Sequence, residues 1–412
     1  MHEMNFREHW KTIRLEEIAD VRAGSAFPIK YQGNIEGKYP FYKVSDMNLT
    51  GNETSMHASN NWVEEDTVKT LKAKLFSKDT VIFPKVGAAV HTNKKRMLSL
   101  KSLVDNNVMG VTIRDYDLCI PYYLLYWFEF IDLGDLSNPG PLPAITATTV
   151  KNTTIPLPPL SEQRAIAHVL QTIQEAKFTR QREIALEHER KAALMDFLFS
   201  HGTKDEPRKQ TEIGKIPESW EVVRLKEIAD LRRENVKPED NQNLNFVGLE
   251  HIDSGESILK RWGDASAMKS AKNRFYPDDV LYGKLRAYLD KAFIAEMEGI
   301  CSTDILVFTA NPKTCPRFLV YLLHTEVFLN HAVATSTGIS HPRTSWDSLG
   351  KFTLALPPRP EQRAIAAVFQ AIDKKIATLE REAQHLDELF HAMLDELMTG
   401  QRSAVTLIDA LK

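Results

Sequence analysis

The sequence predicts an α+β protein of two tandem globules separated by two long helices, which pair as an antiparallel coiled coil in a pseudo-twofold internal repeat. Three observations carry that expectation. A proline-led stretch, Leu157-Pro158-Pro159-Leu160-Ser161-Glu162-Gln163-Arg164-Ala165-Ile166-Ala167, returns as Leu356-Pro357-Pro358-Arg359-Pro360-Glu361-Gln362-Arg363-Ala364-Ile365-Ala366. A second block, Trp10–Arg22, returns as Trp220–Arg232. Each proline stretch is also followed by about forty residues without Pro or Gly.

The proline stretches read as helix launches. Proline fixes φ and lacks a donor, so it suits the first helical turn and little else of a helix. Ser161 is placed to cap, and Glu162 and Glu361 lie where the positive end of the helix dipole favours a carboxylate. Along the second helix Ile372, Ile376, Leu379, Ala383, Leu386, Phe390, Met393 and Leu397 follow heptad spacing, which is a coiled-coil seam. The first helix opens on Ile166, Val169, Ile173 and Ala176 and closes on Leu194, Phe197 and Leu198, but its middle, Lys177 to Lys191, is mostly polar. Each helix is expected to run roughly 60 Å.

Within the globules, short apolar strands are expected at Phe41–Val44, Val81–Phe83, Val108–Ile113, Phe246–Leu249 and Ile305–Thr309. Pro121 and Pro316 each open a short helix, and Asn138–Pro143 reads as a loop. At 412 residues the chain exceeds one ordinary core. The expected division is a first globule over 1–160, a helix over 161–200 and a polar linker over 201–218. A second globule over 219–359, a helix over 360–400 and a tail over 401–412 complete it. The two globules have alike ends and unlike middles.

Net charge is −3, which neither announces nucleic acid nor excludes it, because a basic face can be offset elsewhere. Cys119, Cys301 and Cys315 are isolated, against a disulfide framework or zinc site and in keeping with a reducing cytoplasm. Residues Met1 to Trp10 carry no apolar signal core, and the longest apolar run, Tyr122 to Phe130, is too short to span a bilayer. No phosphate-cradling glycine loop, dinucleotide fingerprint, His-Glu-x-x-His or Gly-x-Ser-x-Gly is present, and neither globule holds an Asn or Asp followed by two prolines and an aromatic. The chain is therefore expected to perform no chemistry alone, with no catalytic or metal-ligating residues.

Basic residues cluster at matching places in the divergent middles. Lys85 and the loop His91, Asn93, Lys94, Lys95, Arg96 follow one strand; Lys284, Arg286, Tyr288 and Lys291 follow its counterpart. Lysine, arginine, asparagine and an aromatic in one strand-loop can supply phosphate contacts and base-edge hydrogen bonds. A solvated surface hairpin would have the same composition. Arg261, beside Lys260 and Trp262, and Lys272, within Lys269–Arg274, form a second basic region. The helix launches, through Glu162, Gln163, Arg164, Ile166, Glu361, Gln362, Arg363 and Ile365, are candidates for docking a partner.

The doubled Pro-Pro-x-x-Glu-Gln-Arg-Ala-Ile-Ala launch, the approach Thr211-Glu212-Ile213-Gly214-Lys215-Ile216-Pro217-Glu218-Ser219-Trp220, and Gly299-Ile300-Cys301-Ser302-Thr303-Asp304 together resemble the specificity subunit of Type I restriction-modification systems. The resemblance covers essentially the whole chain. It implies two target recognition domains, each reading half of an asymmetric bipartite site in double-stranded DNA. It implies that the helices set the spacing and dock two modification (methyltransferase) subunits, which carry S-adenosylmethionine. A restriction subunit using ATP and Mg is a further partner where the system has one. This chain would hold no cofactor, and by position Lys85 with the His91–Arg96 loop, and Lys284, Arg286, Tyr288 and Lys291, would face DNA. Two readings of other classes stay open at this point: a pure interaction scaffold, and a stand-alone methyltransferase or nuclease.

Overall fold

The computed structural model describes residues 10–237, 243–268 and 270–410; Lys269, part of the second basic region, lies outside the described residues. The chain divides into two units, and the division falls inside both long helices, after Arg180 and after Arg381. Each unit thus contains one globule, the start of the long helix that leaves it and the end of the other long helix. Among the described residues, no helix is long and apolar enough to cross a membrane.

In the first unit the opening repeat block forms a strand, Lys11–Arg14, paired antiparallel with Thr154–Leu157, the strand that runs into the helix launch. The main sheet has the order Ala19–Ala23, Val108–Ile113, Val81–Pro84, Arg96–Leu98, Ser55–Met56. A smaller sheet joins Trp62–Val63, Tyr39–Tyr42 and Leu103–Val104, the last two parallel. The helix Pro121–Phe130 starts on its proline and packs Tyr123, Leu124 and Trp127 into the core.

The second unit repeats this plan. Glu221–Arg224 pairs antiparallel with Thr353–Leu356. Its main sheet runs Ala229–Leu231, Ile305–Ala310, Val280–Gly283, Ala292–Ile294. A second sheet of five strands again holds a parallel pair, Asn245–Val247 beside Gly299–Cys301. The middles are therefore unlike in sequence but alike in strand plan, because sheet pairing needs only apolar alternation, which many sequences supply.

The long helices run Leu160–His201 and Arg359–Met398. In the first unit Lys177 pairs with Asp387 and Arg180 with Glu382 (2.6 Å). In the second, Glu187 pairs with Lys375 (2.5 Å) and Lys191 with Asp373 (2.7 Å). Partner numbers fall on one helix as they rise on the other, so the pairing is antiparallel within each unit. The polar middle of the first helix is thereby explained: its charged residues make these cross-helix ion pairs. The heptad residues do a second job. Phe390, Met393 and Leu397 enter the core of the first globule, and Ile372 and Ile376 enter that of the second.

Two polar stretches are more ordered than composition suggests. Within 201–218, Arg208–Thr211 pairs with Gly214–Pro217 as a hairpin with a two-residue loop, and Ile216 reaches the second core. Polar side chains face outward on both strands, which is why the stretch reads as a linker. The tail folds as a helix, Ala404–Ala410, seating Ala404 and Leu407 on the first core.

Candidate nucleic-acid interface

The helix launches come first, because they hold each globule to its helix. Trp10 Nε1 donates to Glu162 Oε2 (3.3 Å), and Trp220 Nε1 donates to Glu361 Oε2 (3.2 Å). Gln163 accepts from the Ile120 amide (3.1 Å) and donates to the carbonyls of Leu118 (2.8 Å) and Pro158 (2.9 Å). Gln362 repeats this with the Cys315 amide (2.8 Å) and the carbonyls of Lys313 (3.0 Å) and Pro357 (2.9 Å). Ile166 and Ile365 are core residues.

This corrects the docking expectation for Glu162, Gln163, Ile166, Glu361, Gln362 and Ile365. They are buried and spent inside the chain, since a buried polar group must find its partners internally. Only Arg164 and Arg363 of that set are exposed. The sequence showed the duplication; it could not show that the duplicated residues face inward.

The basic loops are built on a second duplicated frame. After strand Val81–Pro84, the chain bridges onto the loop before Thr146: Gly87 N donates to Pro143 O (2.8 Å), Ile145 N to Lys85 O (2.8 Å), and Val86 faces Ala144. After Val280–Gly283, Arg286 N donates to Pro342 O (2.8 Å), Thr344 N to Lys284 O (3.0 Å), and Leu285 faces Arg343. Both frames turn at a left-handed residue, Gly87 with φ +70° and Arg286 with φ +53°. The facing loops, which sequence reading left without a role in binding, carry exposed aliphatic side chains, Leu142 in one and Ile339 in the other.

On this frame the expected residues separate into two groups. Lys85, His91, Lys284, Arg286 and Tyr288 make no side-chain hydrogen bond or ion pair with the described residues, and all are at least partly exposed. The others are engaged. Lys94 donates to Asn48; Arg96 donates to Lys95 O (2.7 Å) and Met47 O (3.4 Å). Arg261 forks onto Asp253 (2.6 and 3.2 Å), and Lys291 donates to Leu249 O (2.6 Å).

Lys95 and Lys272 are corrected outright. Lys95 is fully buried, donating to Asn93 Oδ1 (2.7 Å) and Ile131 O (2.9 Å), and burial pushes its ammonium down to about 8. Asn93 also accepts from the Leu133 amide (2.9 Å), so its side-chain oxygen ties the loop down and cannot reach a base edge as well. Lys272 is buried and donates to Ser270 O (2.9 Å) and Oγ (2.6 Å). In both cases a cation inside the fold takes its hydrogen bonds from the loop it stabilises.

Two copies of one α+β globule, each tied to a long helix and each presenting a partly exposed lysine beside a left-handed turn, define a two-module protein. The chain belongs to the family described as the Type I restriction modification DNA specificity domain, which matches residues 7–188 and again 217–388. Its curated relatives are named as specificity subunits of Type I restriction enzymes. The chain is 25% identical to the Type I restriction enzyme MjaVIII specificity subunit of Methanocaldococcus jannaschii, over 97% of this chain and 95% of that one. It is 22% identical to the EcoDI specificity subunit of Escherichia coli, over 98% and 94%. The fold matches that of a restriction-modification S subunit from M. genitalium, with TM-score 0.60, 13% identity and coverage of 96% and 97%. It also matches a chain from a structure concerned with assembly and conformational transition of the type I R-M system, with TM-score 0.55, 19% identity and coverage of 95% and 98%.

Proposed function

We propose that this chain is the sequence-reading subunit of a Type I restriction-modification complex, in which each globule reads one half of an asymmetric bipartite DNA site. The observation that carries the reading is that the DNA specificity family matches twice, and that each match contains the same free lysine, Lys85 or Lys284, on the same bridged frame. Two modules in one chain suit two half-sites, and unlike middles suit unlike half-sites. The long helices set the spacing, and two modification subunits dock on the assembly and supply methyl transfer. A restriction subunit joins where the system has one. The complex acts in the cytoplasm, where the DNA is. The working division is a first recognition domain over 1–160 and a second over 219–359, with the helices and hairpin between and after them.

The DNA contacts are Lys85, His91, Lys284, Arg286 and Tyr288, with Lys94 and Arg96 at the margin. Methylome sequencing of cells carrying this chain with its neighbouring genes, against a deletion of this chain alone, tests the reading. The expected result is a modified motif in two parts with an unread gap that vanishes on deletion. One uninterrupted motif, or a motif unchanged by deletion, would overturn it.

A further inference from the structure

We propose that Arg286 is a specificity-determining residue of the second unit and that it reads a guanine in the major groove of its half-site. The inference deepens the DNA-reading function and rests on it. Arg286 occupies the left-handed region at φ +53° and ψ +60°, where the equivalent backbone position of the first unit is Gly87. Glycine reaches that region without steric cost, whereas an arginine there is held against its preference. Its amide donates to Pro342 O (2.8 Å) and its carbonyl accepts from Leu289 N (2.9 Å), with Ala287 buried next to it, and these hold the turn. An outlier kept by its surroundings at an exposed loop points to use of the side chain.

What that use is follows from comparing the frames. Backbone phosphates are the same in every sequence, so a phosphate contact belongs on a residue both units keep. Lys85 and Lys284 meet that description. Arg286 has no side-chain counterpart in the first unit although the same bridging hydrogen bonds and a positive φ recur there, so its side chain is a difference between the two modules. Its guanidinium is exposed and unengaged, whereas its neighbour Arg343 is spent on Asp304 (2.9 Å) and Lys291 on Leu249 O (2.6 Å). An arginine fork matches the paired acceptors O6 and N7 of guanine, and no other base presents two acceptors on that edge. Tyr288, two residues further on, and Ile339, on the facing loop, are also exposed.

The test uses the chain co-expressed with its modification subunits, on duplexes varied one base pair at a time across both half-sites. Arg286→Gly, which restores the residue the turn prefers, should melt no lower than the parent chain. It should lower the preference for guanine at one position of one half-site by on the order of tenfold or more and leave the other half-site untouched. Arg286→Lys should keep most of the overall affinity and lose part of the same preference, since an ammonium can still donate to O6 or N7 but lacks the planar fork, and it carries the comparison should the glycine variant melt lower. Uniform weakening on every duplex would mean a phosphate contact and overturn the proposal, as would base preferences unchanged in both variants. A parent complex with no two-part motif would overturn the DNA-reading function itself; a parent motif that the variants preserve overturns this inference alone.

Discussion

Trp220 donates its indole N–H to Glu361 across 141 positions of sequence, and in doing so ties the first strand of a globule to the first turn of the helix that leaves it. The indole is fully buried and the carboxylate nearly so. Glu361 Oε1 also accepts from the Thr203 amide (2.8 Å) and hydroxyl (3.2 Å), where the first long helix ends at left-handed Gly202. One carboxylate therefore joins both long helices and a strand within the second unit. A Cβ on Gly202 would come within 2.5 Å of that carboxylate, so glycine is needed there for space as well as for φ.

Glu361→Ala is expected to cost about 1–3 kcal/mol for the buried Trp220 indole left without a partner, whereas the amide of exposed Thr203 can turn to water. Glu361→Gln keeps an acceptor oxygen and should cost less. Urea unfolding followed by tryptophan fluorescence measures both. Equal stability of parent and alanine variants would mean that the Trp–Glu contact does not hold the launch in place.

The Lys191–Asp373 pair makes a different prediction. Asp373 is also hydrogen-bonded by Ser257 (2.7 Å) and Tyr321 (2.8 Å), so the pair is buried with its lone pairs occupied. Asp373→Leu strands a buried ammonium and should cost about 3–5 kcal/mol, whereas adding Lys191→Met should recover the share of that loss due to the stranded charge. Thermal unfolding of the four chains of the cycle decides it. If the double substitution is as unstable as the single one, the pair contributes more than charge compensation.

How much of this was legible beforehand depends on which way side chains face. The duplication, both long helices and the heptad seam were readable because proline, absence of glycine and apolar spacing are local signals. The inward direction of Gln163 and Gln362 was not, since a surface patch and a buried clamp have the same composition. Lys95 shows the same limit: a lysine in a basic loop reads as surface, and only the closing of Leu133 and Ile131 over it makes it core. The left-handed turn at Arg286 was invisible for another reason. Gly87 announces such a turn, but an arginine in its place gives no sequence cue, and only the shared backbone bonds reveal it.

Burial of Lys95 gives a pH prediction whose sign differs from the usual lysine case. Its folded value, about 8, lies below the ordinary 10.5. Below pH 8 both folded and unfolded chains hold the proton, and the full penalty of burying the ammonium is present. Between pH 8 and 10.5 the unfolded chain still holds the proton and the folded chain has lost it, so this group makes stability rise with pH. Buried Cys119 and Tyr42, both pushed up to about 12, act oppositely as pH rises, so the total need not climb. The difference between parent and Lys95→Met isolates the lysine. It should shift in the parent's favour by about 3 kcal/mol across that window. A constant difference from pH 7 to 10.5 would mean that Lys95 is hydrated.

Lys85 and Lys284 sit at the same place on the same bridged frame, their side chains make no hydrogen bond or ion pair with the described residues, and they precede the left-handed turn. A residue kept in both modules suits what both half-sites share, the phosphate backbone. Alanine at either position should weaken binding by the assembled complex to specific and non-specific duplexes alike. It should also reduce the slope of log affinity against log salt by about 0.9, the contribution of one neutralised phosphate. The double variant should lose about twice that slope, because the lysines lie in separate units with separate partners on DNA. Titration of one duplex across a salt series with the four chains measures all three terms. If Lys284→Ala changes the preferred sequence while leaving the salt slope alone, the division of labour is reversed, and the shared lysine, not the residue at the turn, would be reading bases.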